Sequence, residues 1–563
     1  MKKRTTVMAF LAVIAIMAAV PVLAQTPPYP IESVGDLESN TSRTTAGLFG
    51  NDVDDFMDYH NYSNVLSDGA KWFGFISGRN LGTDFPPIYA GDFGYATNIS
   101  GIYLGAWFRG NFARRSGDGG VENIIESEWD EFNNDLLSKT ETTEYEPKWL
   151  ETANQIEFLV GVAGHGIRVG FFESLASDLN KGGDTVTKTD TRDGPVTVAG
   201  ETVKYKNSAG LLKPYVGWGS SFNLLGMNIY PYANLGLFIW TDKEINNTDT
   251  YTEYFGVRSP NVTTSLKGHK KGYLMPDVKV GASLDLPSKG ATNSSVSLSY
   301  NLQFGLFSND YSDSGFSGKV KGDVDWDGSH SVYKDTSGNT VTTDLTTLII
   351  SERKEINNNI ELGYTITGEL IEDLKLGFSA GLPISFGSSS KNNYKKELTK
   401  IVYKSELDPN REYVYEEDTT SYNDSDIDSD TKTSTFGAGL RLNLGASYAL
   451  IKDRFTVNAG ISAMPVSFSR SKITTIPDST EKVETNKTTL NGTVTSNTKD
   501  VTPAASLTDS VAVNTTWDIW NASLSCGFTF FFSPNIALDL GLYSGFGGDQ
   551  IFNQVNVLFT LKY

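Results

Sequence analysis

Of 563 residues, one is a cysteine and four are histidines. A single cysteine, Cys526, excludes an intramolecular disulfide framework, and it lies too far from the N-terminus to mark a lipoprotein. It reads as a small buried or lipid-facing residue, not as a nucleophile. The histidines, at positions 60, 165, 269 and 330, fall in four separate segments, none beside a serine or aspartate at a catalytic-family spacing. No reactive constellation is legible, and an enzyme is not expected. Positive charge is also short: the formal net charge of -20 disfavours nucleic acid and simple adhesion to anionic lipid heads. Long apolar runs are missing as well. Outside residues 7–20, nothing approaches the roughly 18 consecutive apolar residues that a spanning helix needs. Any passage through lipid must therefore use a closed barrel, the other structure that pairs every backbone polar group.

What the chain does have begins with Lys2-Lys3-Arg4, the apolar stretch 7–20 and Val22-Leu23-Ala24. This is the layout of a secretory signal peptide spanning 1–24. Residues 25–70 lack sustained alternation. Within them, Asn51 is placed to cap a short helix, with Asp52, Asp54 and Asp55 in its first turn and Val53, Phe56 and Met57 on one face. Residues 25–70 thus read as a short, partly helical N-terminal segment, periplasmic or plugging the lumen. The carboxylates also suit Ca²⁺, but a well-capped helix accounts for them.

From residue 71 onward the pattern changes to alternation with period 2. Ile102, Leu104, Ala106 and Phe108 interleave with Tyr103, Gly105, Trp107 and Arg109; Val296, Leu298, Tyr300, Leu302, Phe304 and Leu306 interleave with small polar residues. The same design recurs as seven hairpins with short internal connections. Long hydrophilic stretches separate them: 113–154, 174–210, 241–272, 308–358, 387–435 and 471–515. With one strand before and one after, about 16 strands result, with 14 as the alternative. Short turns on one side and long loops on the other are the rhythm of an outer-membrane barrel. A set of soluble β-domains or sandwiches is the competing reading. Aromatics near the expected strand ends, among them Trp240, Phe455, Trp517 and Phe530, suit interfacial girdles. Inward glycines such as Gly161, Gly217 and Gly281 would keep the lumen open.

The chain closes on an amphipathic strand ending at Tyr563, with Leu561, Phe559, Val557 and Val555 on one face. Together with the export signal and the repeated hairpins, this resembles the bacterial outer-membrane β-barrel class over nearly the whole mature chain. The resemblance implies that Phe559, Leu561 and Tyr563 serve as the signal read by the barrel assembly machinery. The wording from Gly47 to Asp58, followed by Trp72-Phe73-Gly74-Phe75, is similar to uncharacterised outer-membrane proteins of spirochaetes, from which no activity can be carried over.

Two sets of residues are candidates for chemistry. Asp323, Asp325 and Asp327 before Gly328 match the first half of a calcium loop, although Lys334 stands where its bidentate Glu should be; solvated loop residues are the plainer reading. By parity, Arg109, Glu157, Arg168, Lys279, Glu361, Arg441, Asp518 and Asp539 face the lumen, with Lys213 and Asp277 among others. Both signs occur, as a pore lining or a self-satisfied barrel interior would have.

The fold expected is therefore all-β: a single antiparallel transmembrane β-barrel over 71–563, multi-pass in the outer membrane, its N-terminal segment periplasmic. The function expected is porin-like diffusion of small hydrophilic solutes, with outer-membrane lipid as surroundings and no cofactor beyond weak Ca²⁺. A non-conducting surface barrel whose loops bind host or matrix partners, and a plugged hydrophobic-solute transporter, are the alternatives. Oligomeric state is left open.

Overall fold

The computed structural model describes residues 71–562, with breaks at 80–87, 112–120, 131–134, 190–196, 423–428, 477–480, 504–507 and 546–553 and at a few turn residues. The expected leader, the 25–70 segment with the helix expected in it, and Tyr563 lie outside the described residues. Sixteen strands make a ring: β1 (Lys71–Arg79), β2 (Ile88–Ile99), β3 (Ile102–Asn111), β4 (Lys148–Val162), β5 (His165–Thr189), β6 (Thr197–Ser220), β7 (Met227–Tyr254) and β8 (Val257–Leu286). The ring continues through β9 (Thr292–Leu306), β10 (Thr340–Ile371), β11 (Leu374–Lys404), β12 (Asp430–Ile451), β13 (Phe455–Ile476), β14 (Ser510–Ser533), β15 (Ile536–Gly545) and β16 (Gln554–Lys562). Each pairs antiparallel with the next. The last returns to the first, with Lys562 opposite Lys71 and Gln554 opposite Arg79. Closure leaves the lower ring without an unpaired edge, which is what lets a sheet exist in a solvent that cannot hydrogen-bond to it.

Short turns close the hairpins. Ser100 and Gly101 join β2 to β3 with φ of 55° and 85°, the left-handed pair that matches strand twist in a two-residue turn. Leu225 and Gly226, at 54° and 82°, do the same at the base of β7.

Alternation then sorts the two faces. On β13, Val457, Ile461 and Val466 are exposed on the outside; on the neighbouring β14, Leu524 and Phe530 join them. Cys526 shares this face, opposite Ala459, half-buried. Opposite parity carries Asn458, Ser525 and Thr529, all buried toward the lumen. Two aromatic clusters bracket the apolar stripe. Phe455 lies 4.6 Å from Phe530 and 5.8 Å from Phe528 near the short turn, and Phe468 lies 4.7 Å from Trp517 and 6.2 Å from Phe436 at the other end. Thirteen residues separate Phe455 from Phe468, about 43 Å of strand, or roughly 33 Å of height at a tilt of about 40°. An apolar band of about 25 Å between girdles fits that span.

Above this band much of the long hydrophilic stretches, among the described residues, is strand, and most of it continues the wall; Asn309–Asp313 and Phe316–Val320 form a separate two-stranded sheet. β7 and β8 stay paired up to Tyr254 and Val257, and β10 and β11 up to Thr340 and Lys404. Further strands join them. Asp323–Lys334 sits between the upper parts of β8 and β10. Glu412–Tyr422 pairs with upper β11 and with Glu481–Leu490, which in turn pairs with Thr493–Thr502. On the far side Asp135–Tyr145 pairs with upper β5 and with Val121–Asp130. The structure has strands where loops were expected, for a physical reason: most of these residues alternate without a sustained apolar face, the buried cluster of Val324, Leu348 and Ile350 excepted, so hydrophobic periodicity is weak. Their Thr, Val and Tyr content still favours strand. The wall is lopsided in consequence. β1, β3, β15 and β16 have 9 or 10 residues, whereas β8, β10 and β11 have 30, 32 and 31.

Candidate functional site

The inner wall of β4 to β9 carries a connected polar ladder. Gln155 Nε2 donates to the Tyr215 hydroxyl at 2.5 Å, and that hydroxyl donates to the Glu157 carboxylate. Gln155 and Glu157 are 2% and 0% exposed, so the tyrosine bonds between buried groups, where leaving one unmade would be costly. Arg168 passes its guanidinium 5.7 Å from the Tyr215 ring and donates to Asn234 Oδ1 at 3.1 Å. Further round, Lys213 Nζ meets Asp277 Oδ2 at 3.0 Å, and Gln303 Nε2 donates to the other Asp277 oxygen at 3.1 Å.

Each long side chain lies flat because the strand between has glycine beneath it. A Cβ at Gly170 would sit 2.2 Å from Tyr215 Cζ, one at Gly217 would sit 2.4 Å from Asn234 Oδ1, and one at Gly236 would sit 2.9 Å from Lys213 Cε. These inward glycines therefore do more than widen the lumen: they are slots for neighbouring side chains. The same device joins two expected lining residues, since Arg441 Nη1 reaches Glu361 Oε1 at 3.1 Å across Gly381. Of the others, Lys279 and Asp518 are exposed on the lumen side, opposite Asn301 and Ser467. Arg109 is in register with Gln155 and Asp539 with Thr529. Phe559 and Leu561 pair with Gly74 and Trp72 in the closing seam. Reading charges alone missed Tyr215, Gln155, Asn234 and Gln303, which share the same parity and complete the ladder.

Beside the ladder runs an apolar rank on the same inner face. Phe172 and Leu211 are enclosed at 0% and 1% exposure, with Phe238 and Trp240 packed against them. Trp240 stacks on Tyr273 at 5.4 Å, and Tyr273 meets the edge of Phe307 at 5.7 Å. Trp240 was expected in an outer girdle; its register opposite Leu211 and Tyr273 turns it inward. Cations cover two of the rings: Lys213 Nζ lies 4.0 Å from the centre of Phe238 and Arg353 Cζ 4.8 Å from that of Phe307.

The expected calcium loop is a strand. Successive side chains of Asp323–Lys334 alternate, and although Asp323, Asp325 and Asp327 share the inner face, they are spread along it and do not converge. Asp323 accepts from the Gly272 amide at 3.2 Å and pairs with Arg353 at 3.5 Å; Asp327 pairs with Lys267 at 2.8 Å; Asp325 is in register with His269. Burial raises the Asp323 carboxyl above its usual range, against the pull of the Gly272 amide and Arg353. Among the described residues no three carboxylates or histidines gather as a metal cage would require. The missing bidentate Glu, replaced by Lys334, was the sequence signal against it.

No protein-family model matches the chain, and no curated protein matches it by sequence. Its fold is similar to solved structures at low scores. The CymD monoaromatic hydrocarbon channel is 13% identical over 93% of this chain and 97% of that one, with a TM-score of 0.25. The Ralstonia pickettii toluene transporter TbuX is 9% identical over 93% and 97%, at 0.26. CdiB from Acinetobacter baumannii is 9% identical over 88% of this chain, at 0.27, and the chain spans 60% of CdiB's length. The closed ring rests on this chain's own strand register, not on these scores.

Proposed function

We propose that this protein is a channel of the bacterial outer membrane that conducts small solutes having both an apolar face and hydrogen-bonding groups. One observation carries the reading: on the inner wall, the half-buried aromatics Phe238, Trp240 and Tyr273, backed by the enclosed Phe172 and Leu211, run beside the half-buried polar groups Lys213, Asp277 and Gln303 of the ladder. The outward stripe between the Phe455 and Phe468 clusters supports placement in a bilayer, and a barrel of this strand number has room for an aqueous passage. This narrows the general hydrophilic pore, whose lining would have no use for a continuous aromatic edge. A signal peptide and a periplasmic N-terminal segment are part of the same reading.

The apolar rank also favours a second reading, a transporter of hydrocarbons, the class of solute that the names of CymD and TbuX carry. Two measurements on the refolded mature chain separate these. Stable ohmic steps in a planar bilayer, together with liposome swelling in sugars or amino acids, support the first. Steps absent, with saturable uptake of labelled toluene into liposomes, support the second. Silence in both, from protein whose folded barrel shows heat-modifiable gel mobility, would overturn conduction altogether and favour a surface-binding barrel.

A further inference from the structure

Where the upper wall meets the apolar band, the inner face of β8, Asp323–Lys334, β10, β11 and β12 encloses a cavity of about 610 Å³. Register puts Asp323 opposite Ser351, Arg353 opposite Lys391, and Lys391 opposite Thr431, so these residues share one lumen-facing patch; Lys354 and Ser390, opposite each other, border it from the other parity. Its volume is within the range of about 300–1,000 Å³ typical of small-molecule sites.

We propose that this cavity is a binding site for a neutral saccharide, taken up at the mouth of the channel before passage. Its lining argues against a hydrocarbon, because Ile349 is the only apolar side chain in it. Its charges argue against a simple ion: on the inward parity Lys271, Arg353 and Lys391 face Asp323, Asp325 and Glu355, and the two signs cancel. Serines 351, 389 and 390, Asn393 and Thr431 fill the spaces with hydroxyls and an amide. Such a lining offers alternating donors and acceptors at close spacing, which suits vicinal hydroxyls.

Next to the cavity, outside its lining, lies the apolar surface that the lining lacks. Arg353 lies over Phe307, Phe307 meets Tyr273, and Tyr273 stacks on Trp240, so the aromatic rank ends at the cavity's rim. Asp323, held by the Gly272 amide next to Tyr273, ties the polar lining to the adjoining aromatic rank. A sugar ring has an apolar C–H face and a polar edge, and this juxtaposition offers a surface for each. The site deepens the proposed channel but does not need conduction to be measured.

The test is equilibrium binding to the full mature chain folded in detergent, read by intrinsic tryptophan fluorescence. The probes are maltohexaose, cellohexaose and chitohexaose, with benzoate as the organic-anion comparison. A saturable change with at least one hexasaccharide is expected. It should weaken tenfold or more in Tyr273→Ala and in Arg353→Gln, with Trp240→Phe losing much of the signal. Arg353→Gln guards against a folding failure, since its head is partly exposed. No saturable change with any hexasaccharide overturns the proposal, as does a change that survives both Tyr273→Ala and Arg353→Gln in protein of normal heat-modifiable mobility. Saturation by benzoate alone overturns it in favour of an organic-anion site. Binding by a barrel that gives no current would sink the channel and keep the saccharide site; current without binding would do the reverse.

Discussion

The lower ring and the upper wall are built from the same strands, yet they are held by different physics. Below the outer girdle, β13 buries Asn458 inside and exposes Val457, Ile461 and Val466 outside, so the two faces meet different solvents. Above it, Thr493–Thr502 is exposed at every position, and Glu412–Tyr422 meets its neighbours through pairs such as Lys487–Glu416 at 3.1 Å and Lys396–Asp418 at 3.0 Å. The ring closes on itself; the wall ends at two strands, Val121–Asp130 and Thr493–Thr502, with no second pairing partner among the described residues. Lipid demands a closed ladder and water does not. The same backbone can satisfy both because its outward faces differ.

An outward charge should split the two tiers most sharply. Ile461→Arg lies six or seven residues from each aromatic cluster, near the middle of the band, and should cost about 2–4 kcal/mol in a bilayer. Val501→Arg, at 56% exposure on the outermost strand, should stay within about 0.5 kcal/mol. Denaturant titration of protein refolded in vesicles, followed by gel mobility, measures both. Equal effects would place the band elsewhere.

Next in size is the inner ladder. Gly170→Ala puts a Cβ into the Tyr215 ring and should cost about 1–3 kcal/mol, because the ring is pinned by Glu157 and Gln155 and cannot yield freely. Adding Tyr215→Ala should recover part of the loss. A Gly170→Ala protein as stable as the parent would mean that Tyr215 does not occupy the glycine slot. Smaller still is Glu361→Gln with Arg441→Gln. Both heads are more than two-fifths exposed, so stability should change by about 0.5 kcal/mol or less. A shift in the reversal potential under a salt gradient is the readout that would show whether the pair faces the solute path.

The difference between the tiers also explains what was legible in the sequence. Strands of the ring announced themselves because one face is apolar, and counting them gave about 16 strands, but not their register. Parity then put Glu157, Arg168, Glu361 and Arg441 on the inner face, though not which partners they find: Glu157 meets Tyr215, and Arg168 meets Asn234. Those contacts depend on strand stagger across slots such as Gly217, which one strand's pattern does not contain. In the upper wall the logic fails from the start. Lys270 to Gly272 and Ser351 to Arg353 have no apolar rhythm, so the cavity they line read as loop. Asp323, Asp325 and Asp327 show the limit plainly, because carboxylates at every second residue describe a calcium loop and one face of a strand equally well.

The smallest effect probes the upper wall by pH. His269 sits on its inner face between Asp242, 3.3 Å from Nε2, and Glu244, 3.8 Å from Nδ1, with Asp325 across the ladder and Lys271 opposing. The hydrogen bond to Asp242 raises the imidazole above its ordinary value, although partial burial pulls the other way. The folded wall therefore holds this proton more tightly than the unfolded chain. Its contribution is complete below about pH 6.5, the ordinary histidine value, and is lost as pH rises through the higher folded value. Amide exchange in upper β7 and β8 should accelerate by about threefold or less between pH 6 and pH 8, after correction for intrinsic rates, as expected for one partly exposed pair. Asp242→Asn should flatten that dependence, and the lipid-facing stretch of β13 should show none. If the ring responded as strongly as the wall, the two tiers would be one cooperative unit and the contrast between them would fail.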